Sequence, residues 1–330
     1  MHSAYVTKEV LDLGILHQRF KLLRLLNLWG IKTVNGTLPT QIGSLIHLRY
    51  LGIRASNIVE LPVTIGNLRN LLTLDYRNIE SDTKVAIKIP NILCNLVLLR
   101  HLFLPIECPW SVKDLQLSAM NNLQILWGLK QEGGGKWFSR EMSKLSTTLK
   151  KLKIVVSKKK HLAAAFCCPS LVGLHTFHCE LRDAIAFQDV EHFSQRINLH
   201  KLVLIGKVQM QLSLLLPTNV VMLELKDSML KDEDPMVSLG ALAHLKLLKL
   251  INFYLGTTFV CKPGSFPRLE ELCLENLQNL ELWRIKKGAM LSLKKLQITF
   301  CRNLLEFPHG LKFVNTLQEL EFFDCYSLIN

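Results

Sequence analysis

The sequence predicts an α/β solenoid of leucine-rich turns: a horseshoe of about thirteen repeats, with a parallel β-sheet on its concave face and short helical, 3₁₀ or irregular segments on its convex face. Three observations carry that expectation. The pattern Leu-x-x-Leu-x-Leu recurs in clean form from Leu23, Leu48, Leu99, Leu149, Leu199, Leu245, Leu269, Leu293 and Leu317, with weaker copies from Leu71, Leu123, Leu171 and Val220. Its spacing stays between 21 and 28 residues and averages 24.5. Between the early copies runs a second formula: Pro39-x-x-Ile42-x-x-Leu45-x-x-Leu48, Pro62-x-x-Ile65-x-x-Leu68-x-x-Leu71 and Pro90-x-x-Leu93-x-x-Leu96-x-x-Leu99.

Each half of the turn follows from its period. The x-Leu-x-Leu-x portion alternates every two residues, so it is a short strand with leucines inward and the intervening residues outward. Apolar residues three apart put one face of a helical or 3₁₀ turn against the strands, and proline suits its first position. Residues 1–22 are an N-terminal segment or the remnant of a preceding repeat, and 23–330 form the repeat domain. Cys179, Cys301 and Cys325 lie eight residues after a first leucine, where such repeats bond neighbouring backbone as the chain turns.

Composition bounds the rest. The net charge is +13, from 40 Lys+Arg against 27 Asp+Glu, which favours an acidic partner. The first residues lack a basic region followed by an apolar run, so no secretory signal is read there, and no uninterrupted apolar stretch reaches the roughly 18 residues of a membrane helix. Nine scattered cysteines, an odd count, suit a reducing compartment, and the cytoplasm is the expected location.

Three apparent motifs dissolve on inspection. Gln131 to Trp137 is glycine-rich but lacks the Gly-x-x-x-x-Gly-Lys-Ser/Thr spacing of a phosphate loop, and reads as a flexible convex connection. Ser157-Lys158-Lys159-Lys160-His161 reads as a solvated turn. No Cys-x-x-Cys or paired histidines accompany Cys301 and Cys325, so packing is preferred to zinc. No paired-carboxylate, nucleophile-base or metal constellation stands out, so neither catalysis nor a cofactor is expected.

The block Leu38-Pro39-Thr-Gln-Ile42-Gly43-Ser-Leu45, repeated from Leu61-Pro62, resembles the leucine-rich domain of plant intracellular disease-resistance receptors. Phe20 to Leu28 resembles that domain's opening, Asn122-Leu-Gln-Ile-Leu-Trp127-Gly-Leu129 its middle, and Gly310 to Leu320 its closing repeats. The resemblance implies a sensor of a pathogen effector or of a guarded host protein, and a domain that restrains an adjoining nucleotide-binding switch. The sequence shows no phosphate loop and no switch domain before Leu23, and the ends read as cut from something longer. The alternative reading is a free-standing intracellular scaffold in signalling.

Function should lie on outward strand positions, the third, fifth and seventh of each repeat. These offer Trp29, Tyr50, Arg54, Arg77, His101, Phe103 and Trp127 early, then Lys151, Lys153 and Lys201, and finally Glu271, Glu275, Lys295, Glu319 and Glu321. Aromatic residues and arginine are enriched in interface hot spots, so the early half, extended by Lys151, Lys153 and Lys201, is the expected protein contact. Between Asp12 and Glu60 lie Arg19, Lys21, Arg24, Lys32, Arg49 and Arg54 with no acidic residue, a surface suited to an acidic partner such as a switch domain, in cis or in trans. Nucleic acid fits less well, because no reading motif accompanies these charges.

Overall fold

The computed structural model describes residues 16–33, 35–77, 89, 91–106, 115–130, 135–145, 147–166, 169–182, 185–188, 190, 193, 198–231 and 234–325. The chain divides into two compact units, 1–151 and 152–330. Pro90, the first residue of the third return formula, lies outside the described residues, as do Leu11 to Leu13 and Cys167-Cys168.

In the first unit a short helix, Leu16–Arg19, precedes five parallel strands: β1 (Leu25–Asn27), β2 (Tyr50–Gly52), β3 (Thr73–Asp75), β4 (His101–Phe103) and β5 (Ile125–Lys130). They lie side by side in chain order, with Leu26, Leu51, Leu74, Leu102 and Leu126 in register. From the second turn on, these leucines are fully buried, as the period of two requires.

The return segments are 3₁₀ turns: Thr40–Ser44, Val63–Asn67 and Asn91–Asn95. A spacing of three matches the three residues per turn of a 3₁₀ helix better than the 3.6 of an α-helix. Its hydrogen bonds use the same residues: Ile42 N–H donates to Pro39 O, Leu45 to Ile42, and Leu48 to Leu45, at 3.1, 3.1 and 2.9 Å. Pro39 and Pro62 sit one residue earlier than expected, at the N-cap in extended conformation, where each carbonyl accepts the first bond of the turn. Gly43 follows Ile42 because successive turns stack tightly there: a Cβ would lie 2.4 Å from the Thr64 carbonyl oxygen.

The segment expected to be a flexible connection is helical from Gly135 onward, in Gly135–Lys144, and buries Phe138 and Met142. Its earlier part, 131–134, lies outside the described residues.

The second unit opens within β6 (Lys151–Val156), whose first residue closes the first unit, and continues with the helix Lys159–Phe166 and β7 (Thr176–Leu181). The lysines of 158–160 are exposed as expected, but they lead into this helix instead of a turn, and His161 is buried. There follow β8 (Ala186–Phe187), β9 (Lys201–Ile205), β10 (Lys207–Val208), β11 (Met222–Lys226), β12 (Leu247–Ile251), β13 (Thr258–Cys261), β14 (Glu271–Glu275), β15 (Leu282–Ile285), β16 (Lys295–Thr299) and β17 (Glu319–Phe323). The unit's main sheet runs β6, β7, β9, β11, β12, β14, β16, β17, while β8 pairs with β10 and β13 with β15 in two small parallel sheets. Phe166, Phe177, Phe187 and Phe193 fill the core near β7, with ring centroids 4.5 to 5.6 Å apart.

One repeat starts three residues later than its sequence suggests. Thr176 pairs with Lys201 and Phe177 with Leu202, so the first leucine of that turn is Leu174; Leu171 lies in the 3₁₀ turn Pro169–Gly173. The error has a physical origin, since a 3₁₀ turn also spaces leucines by three and mimics the opening of the strand motif. Asn198 Nδ2 marks the true register by donating to Val172 O at 2.9 Å, as Asn122 donates to Val97 O one residue before its own repeat. Cys179 is therefore an inward strand residue with no turn-bonding role. Cys301 and Cys325 do sit at the turn, where their thiols donate to Thr299 O and Phe323 O at 3.5 Å each.

Leaving the strand has a fixed geometry too. The eighth residue of many turns has positive φ: Gly30, Ala55, Gly206, Asp227, Asn252, Asn276, Phe300 and Asp324. Gly, Asn and Asp tolerate this left-handed conformation, whereas Ala55 and Phe300 adopt it at a cost of about 1–2 kcal/mol each.

Candidate binding face

In the first unit the outward positions build one patch across β2 to β5. Asp75 anchors it, buried by its neighbours and bound bidentately by Arg77: Nε donates to Oδ1 at 2.8 Å and Nη2 to Oδ2 at 2.5 Å. The Arg77 guanidinium carbon lies 4.4 Å from the centroid of the Phe103 ring, on the next strand, as a cation–π contact. Phe103 is in turn paired in register with Trp127, and both rings are half-buried. The bonds from Asp75, first of all, raise the Arg77 pKa further, so its charge is fixed.

Tyr50 lies along its own strand over Gly52, where a Cβ would stand 2.8 Å from the Tyr50 ring and hydroxyl. Burial, and then the Asp75 carboxylate, raise its pKa. His101 Nδ1 is 2.9 Å from Thr73 Oγ1, and burial followed by Arg100 and Lys151 lowers its pKa, which keeps the ring neutral at neutral pH. Arg54 is half-buried, with its Nε shielded and making no hydrogen bond, while Trp29 is 66% exposed at the seventh position of the first turn. Asp75, an acidic residue, falls outside the basic and aromatic set expected on the early outward positions. Its fifth position in the repeat, shared with Phe103 and Trp127, was the available signal.

The basic set separates into two places. Arg24 and Arg49 occupy the second position of their repeats, on the leading rim of the sheet. Backbone bonds tie that column together: Arg49 to Arg24, Leu72 to Arg49, Arg100 to Leu72, Gln124 to Arg100 and Lys150 to Gln124, at 2.7 to 2.9 Å. Arg24, Arg49, Arg100 and Lys150 thus form one cationic edge, and the last two were overlooked because they lie beyond Glu60 in sequence. Exposed Arg19 and Lys21 precede the same rim, whereas Lys32 and Arg54 follow their strands on the trailing side.

In the second unit, Lys153 Nζ is 3.5 Å from Glu180, which Arg182 also binds at 2.8 Å; the Lys153 and Glu180 side chains are only 12% and 16% exposed. Glu180 entered no sequence expectation because the misplaced register hid its outward position. His178, between Lys153 and Lys201, has its pKa lowered to about 3, by burial first and by the two lysines next. Lys151 and Lys201 are exposed. Glu180 and Glu224 bring carboxylates into the middle turns, so the gradient toward acidity is less sharp than the sequence suggests. At the far turns Lys295 is itself bound by Glu319 and Glu321, at 2.7 and 3.3 Å. On the leading rim Glu270 accepts from Lys294 and Lys246, which draw its pKa down to about 2.

Parallel single strands, one per turn, with 3₁₀ or helical returns and a polar outward face define a leucine-rich repeat protein. Solved structures share this fold: a leucine-rich repeat protein of Leptospira interrogans, LIC12759, with TM-score 0.57 at 20% identity over 92% of this chain and 85% of that one, and an internalin, inlF, of Listeria monocytogenes, with TM-score 0.53 at 14% identity over 92% and 88%. The chain belongs to the family described as Leucine-rich repeat region, which matches residues 1–328. Among curated relatives, it is 33% identical over 307 residues to Disease resistance protein RPP8 of Arabidopsis thaliana, covering 91% of this chain and 33% of that protein. It is 31% identical over 310 residues to the Putative disease resistance protein At1g59780 of the same plant, covering 91% and 31%. The chain therefore spans about a third of the length of these relatives. No described helix is long and apolar enough to cross a membrane.

Proposed function

We propose that this chain is the protein-recognition module of a plant disease-resistance protein, acting by contact alone, with no chemistry of its own. The observation that carries the reading is the Asp75–Arg77–Phe103 cluster: a cation and an aromatic ring locked in place on an outward strand face. Such a surface loses little side-chain freedom on binding, which is how aromatic and arginine hot spots contribute. Its partner is a pathogen effector or a guarded host protein, met in the cytoplasm. The six cysteines described as thiols suit that compartment. The cationic leading rim holds an acidic nucleotide-binding switch domain, in cis or in trans.

Two experiments test this. Proteins retained by the chain from infected Arabidopsis leaf include a set that Phe103→Ala and Arg77→Ala lose, with affinity falling roughly 30-fold for a hot-spot residue. An identical set retained by all three proteins overturns the face assignment. The part of Disease resistance protein RPP8 that this chain does not match is co-precipitated in a salt-dependent manner, and Arg24→Glu with Arg49→Glu abolishes that. Unchanged retention overturns the rim assignment.

A further inference from the structure

We propose that Arg54, on the strand face of the first unit, receives an Asp or Glu side chain of the partner protein, with an apolar residue of the same segment lying on Trp29. This rests on the reading of that face as the recognition surface and adds the chemistry of what it recognises.

Charge is unbalanced there. Arg54 and Arg77 hold the seventh position of consecutive turns, and the backbone ties the column together: Gly30 N–H donates to Arg54 O at 2.9 Å and Ala55 N–H to Arg77 O at 3.1 Å. The carboxylate of this patch, Asp75, is fully used by Arg77. Its Oδ1 accepts from the Arg77 Nε and backbone N–H, at 2.8 and 3.3 Å, and its Oδ2 from Nη2. All three charges act on the Tyr50 hydroxyl, whose pKa burial and then Asp75 raise while Arg77 and Arg54 lower it, so they share one small space. Two guanidinium groups thus stand beside one carboxylate, and the Arg54 side chain makes no hydrogen bond or ion pair among the described residues.

Arg54 is also half-buried. Its Nε is shielded from solvent, whereas its two Nη nitrogens are neither shielded nor bonded and are the groups that meet a partner. A guanidinium in that setting has lost part of its hydration and gained no counter-charge. A carboxylate that reaches it forms a charge-assisted pair at little further desolvation cost. Arg77, already paired, has no such gain to offer. One unused guanidinium balances one negative charge, which fits a carboxylate better than the near-dianion of a phosphorylated side chain. In the preceding turn the same seventh position is Trp29, 66% exposed. An exposed indole next to a guanidinium is the composition of an interface centre, so the occupant presents an acidic and an apolar side chain together.

The test selects a random nonapeptide library displayed on phage against the full chain. Recovered peptides are synthesised with both ends blocked, so that every carboxylate is a side chain, and those that Phe103→Ala weakens belong to the strand face. In these, changing the acidic residue to its amide should weaken binding roughly tenfold, Arg54→Gln should do the same, and the two changes together should cost no more than either alone. Trp29→Ala should weaken the same peptides. Arg54→Glu should lose the acidic peptide and bind the version with lysine in place of its acid, which a misfolded chain could not do. Glu80→Gln/Asp82→Asn, at the carboxylates that follow Arg77 in the sequence, should leave binding unchanged. Face-directed peptides without an acidic residue, additive losses in the double change, or undiminished binding by Trp29→Ala overturn the proposal while the face reading stands. A roughly tenfold gain from Glu80→Gln/Asp82→Asn also overturns it, because the chain's own carboxylate then holds Arg54. If no recovered peptide depends on Phe103, the face reading fails and the proposal with it.

Discussion

His178 makes the stability of the second unit depend on pH in a way that can be worked out. Its ring is packed on β7 between Lys153 and Lys201, and its folded pKa of about 3 lies far below the ordinary value of 6.5. A folded state that keeps the imidazole neutral competes with an unfolded state that binds a proton. Stability is therefore fully present above the unfolded pKa and is lost as pH falls from there toward the folded pKa. With those two values, the change from pH 7 to pH 5 removes roughly 2 kcal/mol, a large share of a normal folding free energy. His178→Gln keeps a polar side chain without the titration. Urea unfolding of both proteins at the two pH values isolates the effect, because the other histidines cancel in the difference. The original chain should lose about 2 kcal/mol more than the variant on acidification. Equal losses would show that the His178 ring takes up its proton in the folded state and would refute the reasoning.

Other predictions concern single positions. Gly128 has φ +90°, and a Cβ there would lie 2.3 Å from Leu104 O, so Gly128→Ala should destabilise by about 2 kcal/mol or more; a variant with an unchanged urea midpoint refutes this. Ala55, at φ 54°, should gain roughly 0.5–1 kcal/mol on replacement by glycine, and a lowered melting temperature would sink the idea. Asp75→Ala strands Arg77 and should cost about 1–3 kcal/mol, much of it recovered in the double Asp75→Ala/Arg77→Ala variant, as a double-mutant cycle in urea will read. Carboxyl NMR should find Glu270 titrating at about 2, rising toward the ordinary range when Lys294 is replaced by Met. The Glu270 contribution to stability is present above the ordinary carboxylate pKa and is lost as pH falls through the folded value, and an unmoved midpoint in the variant excludes the lysine as its cause.

The fold was legible because burial imposes period two on strands and period three on 3₁₀ turns, and leucine recorded both. The same economy caused the one misplaced register, since Leu171 and Leu174 satisfy either rule and only the pairing of Thr176 with Lys201 decides between them. The candidate face was partly legible. Position within the repeat identified Tyr50, Arg77 and Phe103, but it could not reveal that Asp75 binds Arg77 or that Lys153 turns to Glu180, because side-chain pairing depends on rotamers and shielding, which leave no periodic trace. The left-handed eighth residue went unread for a related reason: glycine, asparagine and aspartate mark it in some turns, while Ala55 and Phe300 conceal it in others.

The Asp75–Arg77–Phe103 contact also limits how this surface can diverge. An outward residue on an isolated strand can be exchanged without disturbing the leucines beneath it, so each turn could vary independently, like a letter in a word. Here Arg77 leans on a ring from the following turn, and Tyr50 occupies the space that any side chain at Gly52 would need. Those letters are spelled in pairs. Variation on this face should therefore run through Trp29 and the exposed lysines one substitution at a time, while the Tyr50–Gly52, Thr73–His101 and Asp75–Arg77–Phe103 groups change together or stay as they are.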